Sequence, residues 1–311
     1  MKLVFYGTPE FAVPTLEKLV AEHFTVDLVV TNPDEPRGRG YEVHAPPVKE
    51  AALKAGLQVY QPARLKDPAA RDFLSQYRSD AAVVVAFGHI LPSWLIELPR
   101  LGSINLHASL LPKYRGAAPI QWALIRGERV TGVTTMRIDP GLDTGDTLLK
   151  KEAAIEDQDT AETLGARLSH IGADLMVETL RGLERGALAA QPQDHSQATL
   201  APILKKEDGR IDWTLPAIAV WNRTRGLSPW PGAYTTFRGK RLHIWSASRP
   251  EAGESSSLPP GTMIADRGKL RIVCGNKSWL DVQEVQMEGR KRLSARDFLN
   301  GMKISEGERV E

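Results

Sequence analysis

Residues 81–87 read Ala81-Ala82-Val83-Val84-Val85-Ala86-Phe87, a run without a polar side chain. A strand with one face in water alternates apolar and polar side chains, whereas a strand of a parallel sheet is covered on both faces and is apolar throughout. The run therefore predicts a central strand of a parallel sheet, buried on both faces.

Strand-like and helix-like segments alternate on both sides of this run. Apolar segments predict strands at residues 2–6, 24–31, 57–60, 103–106, 131–138 and 147–154. Helical spacing of apolar residues predicts helices at residues 9–21, 47–55, 69–76, 117–126 and 160–183. The alternation is typical of an α/β fold with a doubly wound, mostly parallel, Rossmann-like sheet. In such sheets ligands bind beyond the carboxyl ends of the strands.

The C-terminal part of the chain has a different pattern. A polar segment without periodicity, residues 191–199, is followed by short predicted strands at residues 233–237, 242–246, 270–274 and 279–285. Short, regularly spaced strands favour a small β-barrel, OB-like in character. The sequence therefore predicts one domain at residues 1–189, a linker at residues 190–206 and a second domain at residues 207–311.

Composition restricts the class of protein. The chain has 311 residues, of which 42% are hydrophobic and 25% charged, as in ordinary globular proteins. Its single cysteine, Cys274, excludes an internal disulfide framework and a multi-cysteine zinc site. Neither a Gly-Lys-Ser/Thr phosphate loop nor a His-Glu-x-x-His motif occurs, so we expect no nucleoside triphosphate, nicotinamide or metal. No signal-like or membrane-spanning stretch occurs either, and a cytoplasmic location is expected.

Charge is distributed unevenly. Residues 201–311 contain 19 Lys and Arg against 13 Asp and Glu, although the whole chain carries a net charge of only +2. A basic C-terminal third indicates an anionic partner for that part of the chain. A solvated surface can show the same small excess, so charge alone leaves both interpretations open.

Three side chains form a candidate chemical site. Asn105 and His107 lie two apart in a predicted strand and therefore point to the same face; Asp143 follows in Pro140-Gly141-Leu142-Asp143-Thr144-Gly145. An amide can hold a developing oxyanion, an imidazole can exchange a proton near neutral pH, and a carboxylate can orient or charge it. This set suits metal-free transfer of an acyl group to an amine. Taken singly, each residue also has a structural interpretation, so the reaction stays open.

A family resemblance rests on residues 105–116, which read Asn105-Leu106-His107-Ala108-Ser109-Leu110-Leu111-Pro112-Lys113-Tyr114-Arg115-Gly116. They resemble the signature of enzymes that use 10-formyltetrahydrofolate, whose pattern is Asn-x-His, Ser-Leu-Leu-Pro, Arg-Gly and a downstream Asp. Residues 7–12 and 139–145 are similar to that family too. The resemblance implies a formyltransferase with a folate co-substrate and no metal.

Two further segments resemble the branch of the family that formylates methionyl-tRNA. One is the insertion Asn32-Pro33-Asp34-Glu35-Pro36-Arg37-Gly38-Arg39-Gly40, which is similar to a tRNA-contacting loop. The other is residues 205–213, which lead into a basic, β-rich domain. The resemblance thus implies that initiator methionyl-tRNA receives the formyl group, giving N-formylmethionyl-tRNA for translation initiation, and that the enzyme is a monomer.

The resemblance also assigns roles to residues of this chain. As the catalytic set it implies Asn105, His107 and Asp143. For the folate it implies Ser109, Leu110, Leu111 and Pro112, with Phe87, Gly88, Ile90 and Leu91 as a wall for the pterin ring. For the tRNA it implies Arg37, Arg39, Lys205 and Lys206, with Arg39 as the principal contact.

Three alternatives compete with this interpretation. A related folate-dependent formyltransferase would act on a small-molecule amine, and a formyltetrahydrofolate hydrolase would use water as the acceptor. A nucleic-acid-binding module would use its α/β half only as a scaffold. The basic C-terminal domain and the Arg39 loop argue against the first two, and the complete Asn, His and Asp set argues against the third.

Overall fold

The computed structural model describes residues 1–37, 42–251 and 256–311. The backbone forms two compact units. The first comprises residues 1–116, 131–154 and 165–201, and the second comprises residues 117–130, 155–164 and 202–311. These units group residues by contact and not by function. The functional domains at residues 1–189 and 207–311, and the linker between them, therefore stay a prediction.

The strands of the first half follow the predicted alternation closely. They are β1 Lys2–Gly7, β2 Thr25–Val30, β3 Glu35–Arg37, β4 Glu42–His44, β5 Val59–Tyr60, β6 Ala81–Val85, β7 Ser103–His107, β8 Val130–Arg137 and β9 Thr147–Ala154. Seven of them form one sheet in the order β5-β2-β1-β6-β7-β8-β9, and β3 pairs with β4 as a separate hairpin. β3 lies in the insertion at residues 32–40 and β4 follows it, and no strand was predicted at either place.

Strand pairing confirms the doubly wound, mostly parallel sheet. β1 runs parallel to β2 and β6, β2 runs parallel to β5, and β6 runs parallel to β7, whereas β8 runs antiparallel to β7. All five residues of β6 are buried. The apolar run at residues 81–87 therefore predicted the central strand and its burial correctly over Ala81–Val85, but the strand ends two residues earlier than predicted, because Ala86 is exposed and adopts a left-handed φ of +45°.

The five helices predicted above are present, with bounds that differ by a few residues, and the structure has three further helices. The helices are α1 Val13–Ala21, α2 Pro47–Lys54, α3 Pro68–Leu74, α4 Ser93–Ile96, α5 Pro119–Ile125, α6 Ala161–Glu184, α7 Ala217–Gly226 and α8 Ala295–Gly301. Three 3-10 helices lie at Glu10–Ala12, His195–Gln197 and Lys206–Gly209. α5 packs so closely on α7 that a Cβ atom at Gly226 would lie 2.8 Å from the carbonyl oxygen of Gln121. This packing explains why residues 117–130 belong to the second unit.

The second unit contains an antiparallel sheet. Its strands are β10 Ala233–Phe237, β11 Lys240–Ala247, β12 Met263–Asp266, β13 Lys269–Val273, β14 Trp279–Met287 and β15 Leu293–Ser294. The order is β10-β11-β14-β13-β12, with β15 paired to β14. The C-terminal β-rich domain is thus confirmed.

The predicted closure of this sheet into a barrel differs from the structure. In the described residues β10 and β12 do not pair with each other. The C-terminal backbone contacts both of these edge strands instead: Thr236 and Glu311 exchange two hydrogen bonds of 3.1 and 2.9 Å, and Met263 N donates to Glu308 O at 2.8 Å. The unit is therefore an open sheet whose edges share one terminal segment, and an OB-like topology stays a prediction.

No helix within residues 1–37, 42–251 and 256–311 combines the length and apolarity needed to cross a bilayer.

Candidate active site

Strand β7 places Asn105 and His107 side by side on one face of the first sheet. The residue between them, Leu106, points to the other face, where a Cβ atom at Gly172 of α6 would lie 2.5 Å from its side chain. His107 is buried and Asn105 is half-buried. The Asn105 amide forms no hydrogen bond with the described residues, so it is available to a ligand. The predicted common face of the two residues follows directly from the strand.

The His107 ring is fixed by one hydrogen bond. Its Nε2 atom lies 2.9 Å from the carbonyl oxygen of Tyr114. Because a carbonyl oxygen only accepts, the hydrogen of this bond resides on Nε2. The other ring nitrogen, Nδ1, lies 3.7 Å from Oδ2 of Asp143. In the neutral ring Nδ1 therefore carries the lone pair, and protonation of the ring would place a new N–H toward the carboxylate.

Asp143 reaches His107 from the loop between β8 and β9. Its Oδ2 atom accepts a hydrogen bond of 2.8 Å from the backbone N–H of Gly116, and 16% of its side chain is exposed. Its φ angle is +51°, in the left-handed region. For a residue with a side chain this conformation costs about 1–2 kcal/mol, so contacts from the rest of the unit must hold it.

The other carboxylate of this loop has a different use. Asp139 accepts hydrogen bonds from the Gly141 backbone N–H at 3.1 Å and from Thr144 Oγ1 at 2.7 Å. It is therefore the turn-forming residue of the loop. Because Asp139 closes the turn, the carboxylate of Asp143 is directed to His107 instead of to its own backbone.

Two glycines allow the loop to fold this tightly. A Cβ atom at Gly141 would lie 1.9 Å from Thr144 Oγ1, and one at Gly145 would lie 1.9 Å from the carbonyl oxygen of Arg137. Neither position tolerates a side chain without movement of the loop.

The Ser109–Pro112 segment is a braced turn beside β7. Ser109 is buried, and its Oγ donates to the carbonyl oxygen of Lys113 at 2.6 Å. Leu111 is buried too; its N–H donates to Thr134 Oγ1 at 3.2 Å and its carbonyl accepts from Lys150 Nζ at 2.5 Å. Leu110 and Pro112 are the partly exposed members. A ligand would therefore meet Leu110 and Pro112, while Ser109 and Leu111 keep the turn in shape.

The Phe87–Leu91 segment follows β6, and it too contains both buried and exposed residues. Phe87 and Leu91 are buried, and the Phe87 ring packs edge-on against Tyr6 at 5.5 Å between centroids. Gly88 and Ile90 are exposed, Ile90 to 88%. An apolar side chain so exposed at the end of a central strand is a natural surface for a flat ring.

Gln193 and Arg115 form a buried pair behind the Asp143 loop. Both side chains are 7% exposed, and Gln193 Oε1 accepts from Arg115 Nε at 3.2 Å and from Arg115 Nη2 at 2.7 Å. The Gln193 amide contacts the Asp143 loop. Gln193 was not among the predicted site residues, because the polar segment around it is typical of a linker and no local pattern marks one buried glutamine.

The residues implied for tRNA are spread over both units. Arg37 lies in β3 of the first unit, and Arg39 falls outside the described residues. At the base of the hairpin, hydrogen bonds from Gln61 and then Lys49 hold the pKa of Asp34 below its ordinary value. Both bonds are 2.7 Å long. Within the second unit, Lys205 and Lys206 are exposed.

Other cations of the basic C-terminal part are engaged inside the second unit. Arg225 donates to the carbonyl oxygens of Glu156 at 2.9 Å and Asp159 at 3.2 Å, and it stacks on Trp221 at 3.8 Å. Arg271 donates to Asp281 at 2.8 Å. Net charge therefore overstates the number of cations that face solvent. In the described ranges, no cluster of three or more His, Cys, Asp or Glu side chains has the arrangement of a metal site.

Family models match most of the chain. One described as formyl transferase matches residues 1–180, and one described as the formyl transferase C-terminal domain matches residues 203–303. A methionyl-tRNA formyltransferase of Solibacter usitatus is 54% identical over 310 residues, covering 100% of this chain and 98% of the relative. One of Acidobacterium capsulatum is 54% identical over 302 residues, covering 97% and 96%.

Solved structures share the fold. An N-formyltransferase of Helicobacter canadensis, in complex with folinic acid and dTDP-3-aminofucose, aligns with a TM-score of 0.70 at 17% identity, over 92% of this chain and 99% of the other. HypX of Aquifex aeolicus in complex with tetrahydrofolic acid aligns with a TM-score of 0.63 at 16% identity, over 96% of this chain and 47% of HypX. At these identities the likeness shows the fold alone.

Proposed function

The chain belongs to the formyl transferase family, and we propose that it transfers the formyl group of 10-formyltetrahydrofolate to the α-amine of methionyl-initiator tRNA, giving N-formylmethionyl-tRNA. One observation carries the chemistry: His107 Nδ1 lies 3.7 Å from the Asp143 carboxylate, on the strand face that also bears Asn105. The relatives of Solibacter usitatus and Acidobacterium capsulatum, similar over nearly their whole length, support the acceptor.

Asn105 and His107 act on the formyl oxygen in this proposal. When the amine attacks the formyl carbon, negative charge develops on that oxygen, and donors already in place lower the barrier. Within residues 1–37, 42–251 and 256–311 the Asn105 amide has no hydrogen-bond partner to give up. On His107 the donor must be Nδ1–H of the imidazolium, because Nε2–H is already engaged by the Tyr114 carbonyl.

Asp143 acts on the charges of His107 and of the amine. Its Oδ2 atom lies 3.7 Å from Nδ1 of His107, close enough to orient the ring and to attract positive charge on it. Attack by the amine also leaves a proton to be removed from nitrogen, and Asp143 is the adjacent group that can accept it. The backbone N–H of Gly116 keeps Oδ2 oriented while the other carboxylate oxygen is available for that proton.

The folate co-substrate fits the braced turn and the strand end. Exposed Ile90 and partly exposed Leu110 and Pro112 offer apolar surface of the kind that a flat heteroaromatic ring needs. The buried partners Phe87, Leu91, Ser109 and Leu111 would keep that surface rigid. Bound there, the folate supplies the formyl group: the new bond from the amine to the formyl carbon replaces the bond from that carbon to the folate nitrogen, and the proton given up by the amine is balanced by the proton that this nitrogen gains as tetrahydrofolate leaves.

Contacts to tRNA are assigned to Arg37, Arg39, Lys205 and Lys206. Arginine and lysine contacts to phosphate raise affinity without reading sequence and weaken as salt rises.

We expect Arg39→Ala to reduce transfer to charged tRNA, with little effect on hydrolysis of the free formyl donor. Equal losses in the two assays would assign the loop a structural role instead. A cytoplasmic monomer is the working form that we expect.

Incubation of the protein with 10-formyltetrahydrofolate and methionyl-initiator tRNA tests the proposal. The expected product is N-formylmethionyl-tRNA, resolved from methionyl-tRNA after deacylation and chromatography. Release of formate with unchanged tRNA would identify a hydrolase. Inactivity toward tRNA together with formylation of an amino sugar would identify a small-molecule formyltransferase.

A further inference from the structure

The side-chain amide of Gln193 bonds to the Asp143 loop at two points. Its Nε2 atom donates to the carbonyl oxygen of Asp143 at 2.9 Å and to that of Gly145 at 2.7 Å. An amide nitrogen carries two hydrogens, and here both form hydrogen bonds with this loop. The chemistry described for formyl transfer does not otherwise use Gln193.

The side-chain oxygen of Gln193 is bound by Arg115, which lies in the segment that follows β7. That oxygen accepts two bonds from Arg115, whose backbone N–H donates to Thr199 O at 2.8 Å and whose carbonyl accepts from Ala201 N at 2.7 Å. The next residue, Gly116, donates its N–H to the Asp143 carboxylate. The Asp143 loop is thus held at its backbone through Gln193 and at its side chain through Gly116, and both supports meet at one dipeptide.

The Asp143 loop depends on these hydrogen bonds for its conformation. Asp143 adopts a left-handed φ of +51°, and its neighbour Leu142 is 63% exposed, so burial of apolar surface does little to hold the loop. The attraction between a carboxylate and an imidazolium falls with distance and with access of water. The separation of 3.7 Å from His107 therefore depends on polar bonds from outside the loop.

We propose that Gln193 is a positioning residue for formyl transfer, fixing the Asp143 carboxylate beside His107 through the carbonyl oxygens of Asp143 and Gly145. The inference rests on the proposed function, because its measured quantity is the rate of formyl transfer. It makes the polar segment around Gln193 a working part of the active site.

Gln193→Leu tests the proposal, because leucine nearly keeps the volume and removes both donors. Since small misplacements of a catalytic group cost up to about 100-fold in rate, we expect kcat to fall by at least about fivefold, with KM for donor and for tRNA changed less than kcat. Gln197→Leu is the matched control: Gln197 is exposed and its amide donates to Asp194 at 2.8 Å, away from the loop. A smaller fall in kcat for Gln193→Leu, or an equal fall for Gln197→Leu, would overturn the proposal.

A second background separates positioning from general weakening of the fold. In an Asp143→Ala protein there is no carboxylate to position, so adding Gln193→Leu should lower kcat by less than it does in the parent. An undiminished loss in that background would overturn the proposal. Gln193→Glu retains the acceptor for Arg115 and lacks the donors, and it should be as slow as Gln193→Leu; full activity would also overturn it. Failure of the parent itself to formylate any amine would refute the proposed function instead.

Discussion

Strand β7 and the Asp143 loop bring their catalytic groups to the same point by different means. Asn105 is paired on both sides, opposite Val84 of β6 and Met136 of β8, and His107 is paired with Thr134 of β8. Asp143 has no such frame. Its conformation depends on hydrogen bonds from Gly116 and Gln193, residues distant in sequence.

The contrast indicates a division of labour. Regular strand geometry gives the oxyanion donors a fixed position at no local conformational cost. The loop carries the charged group in a left-handed conformation that only the surrounding bonds maintain. We therefore expect substitutions on β7 to affect chemistry directly, and substitutions on the loop to affect it in proportion to how far the carboxylate moves.

The largest effect is expected for His107→Ala on the strand. Loss of a charged hydrogen-bond donor at the developing oxyanion costs about 10²–10³-fold in rate, and we expect a fall near the top of that range in single-turnover formyl transfer. Folding should persist, because the strand pairs through its backbone. Activity within threefold of the parent would remove His107 from the mechanism.

A smaller loss is expected for Asp143→Asn on the loop. Asparagine can still accept the hydrogen bond from Gly116, so the change removes charge while it preserves shape. Loss of one preorganised electrostatic group costs on the order of 10²-fold, and we expect a fall of that size in kcat. Thermal unfolding should change little. Full activity would show that Asp143 serves by shape alone.

A still smaller effect is expected for Gly145→Ala, which displaces the loop without removing a catalytic group. The new Cβ atom would lie 1.9 Å from Arg137 O, whereas one at Gly301 would meet no atom within 4 Å. We expect about a tenfold fall in kcat for Gly145→Ala and parent-like activity for the control Gly301→Ala. Parent-like rates for both would mean that the loop adapts freely, contrary to the contrast drawn above.

Sequence reasoning succeeded where structure is periodic. The two-residue spacing of Asn105 and His107 predicted their common face, and the apolar run at residues 81–87 predicted the central strand. Closeness of Asp143 to His107 came from the family resemblance, because no local pattern brings a loop carboxylate to a strand. The same limit applies to Gln193, whose buried bonds are tertiary.

In the C-terminal unit, the main strands were predicted from the sequence, but the open edges of the sheet were not. The strands at β10, β11, β13 and β14 follow from apolar alternation, but the short β12, β15 and α8 escaped prediction. Whether edge strands meet depends on twist and on what the terminal segment contacts, and here Glu311 occupies the edge of β10. Charge counts likewise could not show that Arg225 donates hydrogen bonds to backbone carbonyl oxygens within its own unit.

Cooperation between the strand and the loop is best measured by combining their two substitutions. If Asp143 orients His107 in addition to accepting the proton of the amine, Asp143→Asn should cost about 10²-fold in the parent but at least about threefold less than that in a His107→Ala background, because coupled groups are not additive. Single-turnover formyl transfer to methionyl-initiator tRNA supplies both numbers. Equal losses in the two backgrounds would contradict the account, since strand and loop would then act independently.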